Sequence, residues 1–156
     1  MESITQPKGF LRVYGVNVVD GDGRKVILKG VCFEKRIFDG STTNQCPTRR
    51  LLGALLDVLG QEKYDYFFEK FLDYFFTRSD AKFFRSLGLN GIRIPINHRH
   101  FIDDLNPGVI KPDGFRFVDR IVEACSAEGI YSILDMHTFP GGQNQGWHSD
   151  SGIHRA

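Results

Sequence analysis

Several kinds of segment are missing from this chain of 156 residues, and each absence excludes a class of protein. The chain does not open with a basic segment, an apolar stretch and a small-residue cleavage site, so we expect no secretory signal. No apolar run is long enough to cross a bilayer. The three cysteines (Cys32, Cys46 and Cys125) are far apart and match neither a disulfide framework nor a CxxC metal site. These absences predict a cytoplasmic protein without a membrane span.

The chain also has little excess charge and no familiar nucleotide or nucleophile motif. Its 20 basic residues balance 19 acidic residues, which leaves a net charge of +1 and no basic patch for nucleic acid. It contains no GxGxxG, no GxxxxGK followed by Ser or Thr, and no GxSxG elbow. Nucleic-acid binding, nucleotide binding and serine-esterase chemistry therefore lose their usual support.

The first third of the chain predicts a β-hairpin and then a buried strand. Residues 10–19 and 24–32 are rich in Val, Ile and Leu, and the turn-forming residues 20–23 (DGDG) separate them. We place the hairpin at residues 10–27. The segment VILKGVCF is apolar with little alternation, which is typical of a parallel strand that is buried on both faces.

Helical and strand patterns alternate from residue 51 onwards. Leucines at helical spacing predict a helix that ends before Gly60, and YDYFFEKFLDYFF predicts a second helix whose aromatic residues pack in the core. A short helix capped by Ser79 precedes the strand NGIRIPI, which Pro95 ends. The helix FRFVDRIVEACSAE then ends at Gly129, before the strand IYSILDMH. Such alternation predicts an α/β fold with a parallel sheet, either a (β/α)8 barrel or a doubly wound sheet.

Polar residues follow the predicted parallel strands, where reactive groups gather in both architectures. Side chains alternate along a strand, so Asp135 and His137 share one face, and Arg93 lies on one face of the preceding strand. Arg93 could orient and stabilise a catalytic carboxylate, or it could form a structural ion pair with Asp135. His137 could bind a sugar or join an acid/base network, or it could be a neutral histidine that backbone groups satisfy.

The loop PGGQNQGWHSD predicts contacts with carbohydrate. Its glycines let the backbone approach a ligand, Gln143 and Asn144 offer donors and acceptors, and Trp147 offers a flat apolar face. A solvated loop with one buried Trp is the alternative. A metal site is a further alternative, because potential ligands occur late in the chain, although without a recognised zinc spacing. Those potential ligands are His98, His100, His137, His148, Asp150 and His154.

The segments ILKGVC, SLGLNGIRIPI and GIYSILDMH, followed by PGGQN and WHSD, resemble the opening of family 5 glycoside hydrolases, especially fungal proteins related to exo-β-1,3-glucanases. This resemblance covers nearly all of residues 1–156 and implies part of a (β/α)8 barrel, with the hairpin and about three β/α units over residues 28–156. It implies that Arg93 supports the nucleophile and that His137 helps to bind the substrate, a β-glucoside or glucan. We expect Gln143, Asn144, Trp147 and His148 to add further contacts with that substrate. It implies no cofactor, and the ligand spacing of the late histidines leads us to expect no metal.

Two catalytic glutamates are expected in such retaining enzymes, one of them in an Asn-Glu pair, with carboxyl groups about 5–5.5 Å apart. The sequence has no Asn-Glu pair and ends soon after the third predicted strand, so we expect a truncated and inactive chain. Its open strand edges would favour instability. The main alternative is a non-catalytic carbohydrate-binding or interaction fragment, and a metal-dependent hydrolase is a third hypothesis. The sequence does not define an oligomeric state.

Overall fold

The computed structural model describes residues 9–32, 48–103 and 106–140 of the chain. Its strands are β1 Arg12–Tyr14, β2 Asn17–Val19, β3 Gly30–Cys32, β4 Gly91–Asn97, β5 Ile102–Asp103, β6 Asn106–Ile110 and β7 Tyr131–Thr138. Its helices are α1 Thr48–Leu59, α2 Gln61–Phe75, α3 Arg78–Ser86 and α4 Asp113–Ala127, with a 3₁₀ turn at His98–His100. The α/β class predicted from the sequence is therefore confirmed. Over these residues, no helix has the length and apolar character needed to cross a membrane.

The N-terminal hairpin contains two tight turns, whereas the sequence predicts one. β1 and β2 pair antiparallel across a turn at Gly15, whose φ of 58° is readily adopted only by glycine. The predicted turn follows β2: the Asp20 carboxylate accepts the backbone N–H groups of Asp22 and Arg24, both at 2.9 Å. These bonds tighten the second turn and bring residue 25 opposite the end of β2.

The central feature is a three-stranded parallel sheet in the order β3-β4-β7. Gly30 lies opposite Gly91, and a Cβ at Gly30 would collide with the Gly91 carbonyl, so this close approach requires a glycine. On the other side of β4, Arg93 lies opposite Ile133. β4 therefore pairs with β3 on one side and with β7 on the other.

β5 and β6 form a small antiparallel hairpin between β4 and α4 in the sequence, in a segment where the sequence predicts only a loop.

The hydrophobic core lies on one face of this sheet. Ile92, Ile94 and Ile96 of β4 point to that face, and each is at most 6% exposed. They form one cluster with buried residues from the helices and connections, namely Phe76, Ala81, Phe101, Ile121, Cys125 and Ile130. Because side chains alternate along a strand, the odd-numbered residues of β4 are directed away from this cluster.

Two predicted boundaries are wrong, for identifiable reasons. α3 begins after Thr77, not after Ser79, because Thr77 and Asp80 form a reciprocal capping box in which Asp80 accepts the Thr77 backbone N–H at 2.7 Å. β4 continues through Pro95 to Asn97, whereas the sequence predicts that Pro95 ends the strand. Proline lacks the backbone N–H group that would donate a hydrogen bond to a neighbouring strand, but it does not prevent the chain from staying extended.

Two predicted burials also need correction. β3 has only three residues, all exposed, although the sequence predicts a strand buried on both faces. No residue of α2 is fully buried, but the aromatic face that the sequence predicts to pack in the core is half-buried, and Phe75 packs against the core cluster. The rings of this face also pack on one another, as in the pairs Tyr64–Phe68 at 4.6 Å and Phe71–Phe75 at 5.1 Å. Helical spacing identifies an apolar face, but only the tertiary fold determines what covers that face.

Candidate functional site

The candidate site lies on the sheet face opposite the hydrophobic core. β4 contributes Arg93, β7 contributes Asp135 and His137, and β3 contributes Cys32 directly opposite Arg93. These four residues share a face because each strand alternates its side chains and the parallel register aligns the three strands. Asp135 lies opposite Pro95, so the Arg93 side chain must reach two residues along the neighbouring strand to meet it.

One carboxylate oxygen is the centre of the cluster. Asp135 Oδ2 lies 2.6 Å from Arg93 Nη2 and 3.1 Å from His137 Nδ1. Arg93 Nη2 and His137 Nδ1 are 3.4 Å apart, and Arg93 Nη1 donates to Cys32 Sγ at 3.0 Å. The residues that the sequence predicts for this face are thus in direct contact.

The cluster is accessible to solvent, and its Arg93 guanidinium is permanently charged. The side chains of Arg93, Asp135 and His137 are 41%, 29% and 34% exposed. The hydrogen bond to Cys32 raises the pKa of the Arg93 guanidinium above its ordinary value, and the negative charge of Asp135 adds to this effect against the opposing effect of burial. Arg93 therefore acts as a fixed donor and positive charge, and it does not act as a proton-transfer group.

His98 lies apart from this face. Its side chain is 2% exposed, and its backbone N–H donates to Thr138 Oγ1 at 3.3 Å, which links the ends of β4 and β7. Such a position is typical of a structural histidine. Among the side chains that the structure describes, no three potential metal ligands are arranged so that they could hold one ion. His148, Asp150 and His154, which the metal hypothesis includes, lie outside the described residues.

The predicted sugar-binding loop also lies outside the described residues. This applies to Gln143, Asn144, Trp147 and His148, which therefore stay predictions from the sequence. In contrast, the cluster also contains Cys32, which is not among the site residues predicted from the sequence. Its signal was its position near the end of the first predicted parallel strand, where side chains of adjacent strands converge.

Comparison with known proteins identifies the family. The profile described as cellulase (glycosyl hydrolase family 5) matches residues 64–155, which is more than half of the chain. The chain belongs to glycosyl hydrolase family 5. The resemblance noted in the sequence is thereby confirmed, and so is its assignment to a family of glycosidases.

Several curated relatives of this family 5 chain carry different activity names. A protein named beta-xylosidase from Phanerodontia chrysosporium is 51% identical over 149 residues, which cover 94% of this chain and 31% of that protein. A probable glucan endo-1,6-beta-glucosidase B from Aspergillus flavus is 35% identical over 92 residues, which cover 54% of this chain and 22% of that protein. Endoglucanase C from Acetivibrio thermocellus is 32% identical over 79 residues, which cover 51% of this chain and 23% of that protein. The chain thus spans less than a third of the length of each of these relatives.

Proposed function

We propose that this chain forms part of a retaining glycoside hydrolase site that acts on β-linked glucosides or glucans. One observation carries the proposal: Arg93, Asp135 and His137 form a contiguous polar cluster on the open face of a parallel sheet in a family 5 chain. The names of the relatives support β-linked glycosides as the substrate class, since they include glucan β-glucosidases and a beta-xylosidase.

We propose further that β3, β4 and β7 are the first three strands of a (β/α)8 barrel. Three features support this assignment: the strands are parallel, their order follows the sequence, and the core is on one face of β4. In a barrel of this kind the opposite face is the interior, and active sites lie at the carboxyl ends of the strands. The cluster around Asp135 then lies in the barrel mouth.

Each member of the cluster has a role that its chemistry supports. Arg93 is a permanent cation, so it would hold a catalytic carboxylate in its charged form and orient it. His137 offers a ring nitrogen for hydrogen bonds with sugar hydroxyls. Gln143, Asn144, Trp147 and His148 would complete the contacts with the sugar, with Trp147 as the stacking surface.

We propose that residues 1–156 do not hydrolyse glycosides by themselves. Retention needs two carboxyl groups about 5–5.5 Å apart, one as nucleophile and one as acid/base. The sequence has no Asn-Glu pair, and the Asp135 carboxylate is already in contact with Arg93 and His137. Saccharide binding without turnover is therefore the activity expected of this chain, and cytoplasmic location stays a prediction from sequence alone.

A saccharide titration tests the proposal. Xylo-, cello- and laminari-oligosaccharides would be added to the chain while NMR signals are recorded and reducing ends are assayed. We expect weak binding, no release of reducing ends, and loss of binding in Trp147→Ala. Tyr74→Ala is the matched control, because Tyr74 is an aromatic residue that is 77% exposed on α2. An absence of binding, or equal loss in both variants, would contradict the proposed site, and measurable hydrolysis would contradict the proposed inactivity.

A further inference from the structure

The Asp135 carboxylate uses the same oxygen for two different donors. Oδ2 contacts Arg93 Nη2 at 2.6 Å and His137 Nδ1 at 3.1 Å. Asp135 and His137 are two residues apart on β7, so their side chains project from the same face of one rigid strand. Asp135 is therefore placed to determine the state of the histidine ring as well as to pair with the arginine.

The geometry favours one position for the proton on a neutral His137 ring. If Nδ1 carried no proton, its lone pair would face a carboxylate oxygen 3.1 Å away, which is repulsive. Arg93 Nη2 lies farther from Nδ1, at 3.4 Å, and already donates to Asp135 over a much shorter distance. A proton on Nδ1 turns the repulsive contact into a charge-assisted hydrogen bond.

We propose that Asp135 is a positioning residue that holds His137 in the tautomer with its proton on Nδ1. Nε2 is then the acceptor side of the ring, so His137 would receive a hydrogen bond from a sugar hydroxyl and would not donate one. This last step rests on the proposed function, in which His137 contacts the sugar. The proposed tautomer follows from the contact between Asp135 and His137 and does not rest on saccharide binding.

A purely structural Asp135 would have a different signature. If it served only to neutralise Arg93, then removing Arg93 would release Asp135, and the His137 tautomer would not depend on Asp135. If it positions His137, the tautomer survives the loss of Arg93 and changes with the loss of Asp135. The Arg93→Met and Asp135→Ala variants therefore separate the two roles.

Long-range ¹H–¹⁵N NMR of the histidine rings measures the tautomer directly. The full chain, labelled with ¹⁵N-histidine, would be studied near pH ~8.5, above the ordinary histidine pKa of about 6.5. The His137 signals are assigned by their loss in His137→Gln. We expect the Nδ1–H tautomer in the wild type and in Arg93→Met. In Asp135→Ala we expect a shift towards the Nε2–H form. His98 is an internal control, since its ring is buried against Thr138 and its signals should not move.

Two results would overturn the proposal. One is a wild-type His137 ring with its proton on Nε2 or with both nitrogens protonated, and this result does not depend on whether any variant folds. The other is an Nδ1–H tautomer that persists in Asp135→Ala while the His98 signals stay unchanged. Neither result depends on saccharide binding, so a failure here is distinguishable from a failure of the proposed function.

Discussion

Arg93 and Ile94 are neighbours on β4 that project to opposite faces of the sheet, and they should respond very differently to substitution. Arg93→Met removes the guanidinium but keeps an unbranched apolar stem. Ile94→Ala removes three carbon atoms from a side chain that is 4% exposed. We predict that the first change costs little stability and the second costs much, because Ile94 lies in the buried core whereas Arg93 lies on the partly exposed face.

The expected magnitudes follow from exposure. Arg93 and Asp135 are 41% and 29% exposed, so their ion pair should contribute about 0.2–1 kcal/mol to the free energy of unfolding. When Arg93 is lost, Asp135 still has His137 as a hydrogen-bond donor, so the Asp135 carboxylate is not left without a partner. Ile94→Ala creates a cavity among close-packed side chains and should cost about 2–5 kcal/mol.

Urea unfolding followed by circular dichroism measures both changes against the wild type. Similar m-values would show that the unfolded states are comparable. If Arg93→Met cost as much as Ile94→Ala, the ion pair with Asp135 would be a structural brace, and the functional interpretation of Arg93 would lose its support. If both variants cost little, the packing of β4 against the helices would itself be refuted.

Two further predictions concern groups outside the candidate site. Burial raises the pKa of the Cys125 thiol from 9.0 to about 11, so between these values the unfolded chain releases a proton that the folded chain retains. The free energy of unfolding should therefore fall by up to ~2–3 kcal/mol as pH rises through this window. Cys125→Ala should flatten that pH dependence, which urea titrations at several pH values would measure. Equal slopes of the free energy of unfolding against pH in the wild type and in Cys125→Ala would contradict the prediction. Gly114→Ala should cost about 1–3 kcal/mol, because a Cβ there would collide with the His100 carbonyl oxygen. Gly53→Ala is the comparison in the same unfolding assay, because Gly53 lies in α1 and an added Cβ there would meet no atom within 4 Å. This change should stabilise the fold by about 0.5–1 kcal/mol. Equal effects of the two substitutions would refute the close contact at Gly114.

Local patterns predicted most of the elements, because helix and strand periods and their stop signals are encoded in neighbouring residues. Gly60, Gly88 and Gly129 all have positive φ, and each follows a helix where the sequence predicts an end. The β5–β6 hairpin differs from the predicted loop because the turn-forming residues Asn106, Pro107 and Gly108 lie within β6. The incomplete burial of α2 could not be predicted, since the partner of an apolar helix face depends on contacts with segments that are distant in sequence. The spacing of apolar residues along a helix or strand does not specify which other segment packs against them.

The candidate site shows the same division between local and long-range information. Alternation along β7 predicts that Asp135 and His137 share a face, but the contact with Arg93 depends on the register between β4 and β7, which local patterns do not specify.

That register links the core to the site. A slip of one residue would turn Arg93 towards the helices and Ile94 away from them, so it would break the Asp135 ion pair and expose an otherwise buried side chain. Burying an isoleucine contributes about 1.5–3 kcal/mol, which exceeds the contribution expected from a partly exposed ion pair. The hydrophobic face of β4, with Ile94 at 4% exposure, therefore maintains the register, and the polar cluster on the opposite face follows from it. Core substitutions that leave the chain folded but loosen this register should disturb the His137 ring before they unfold the protein.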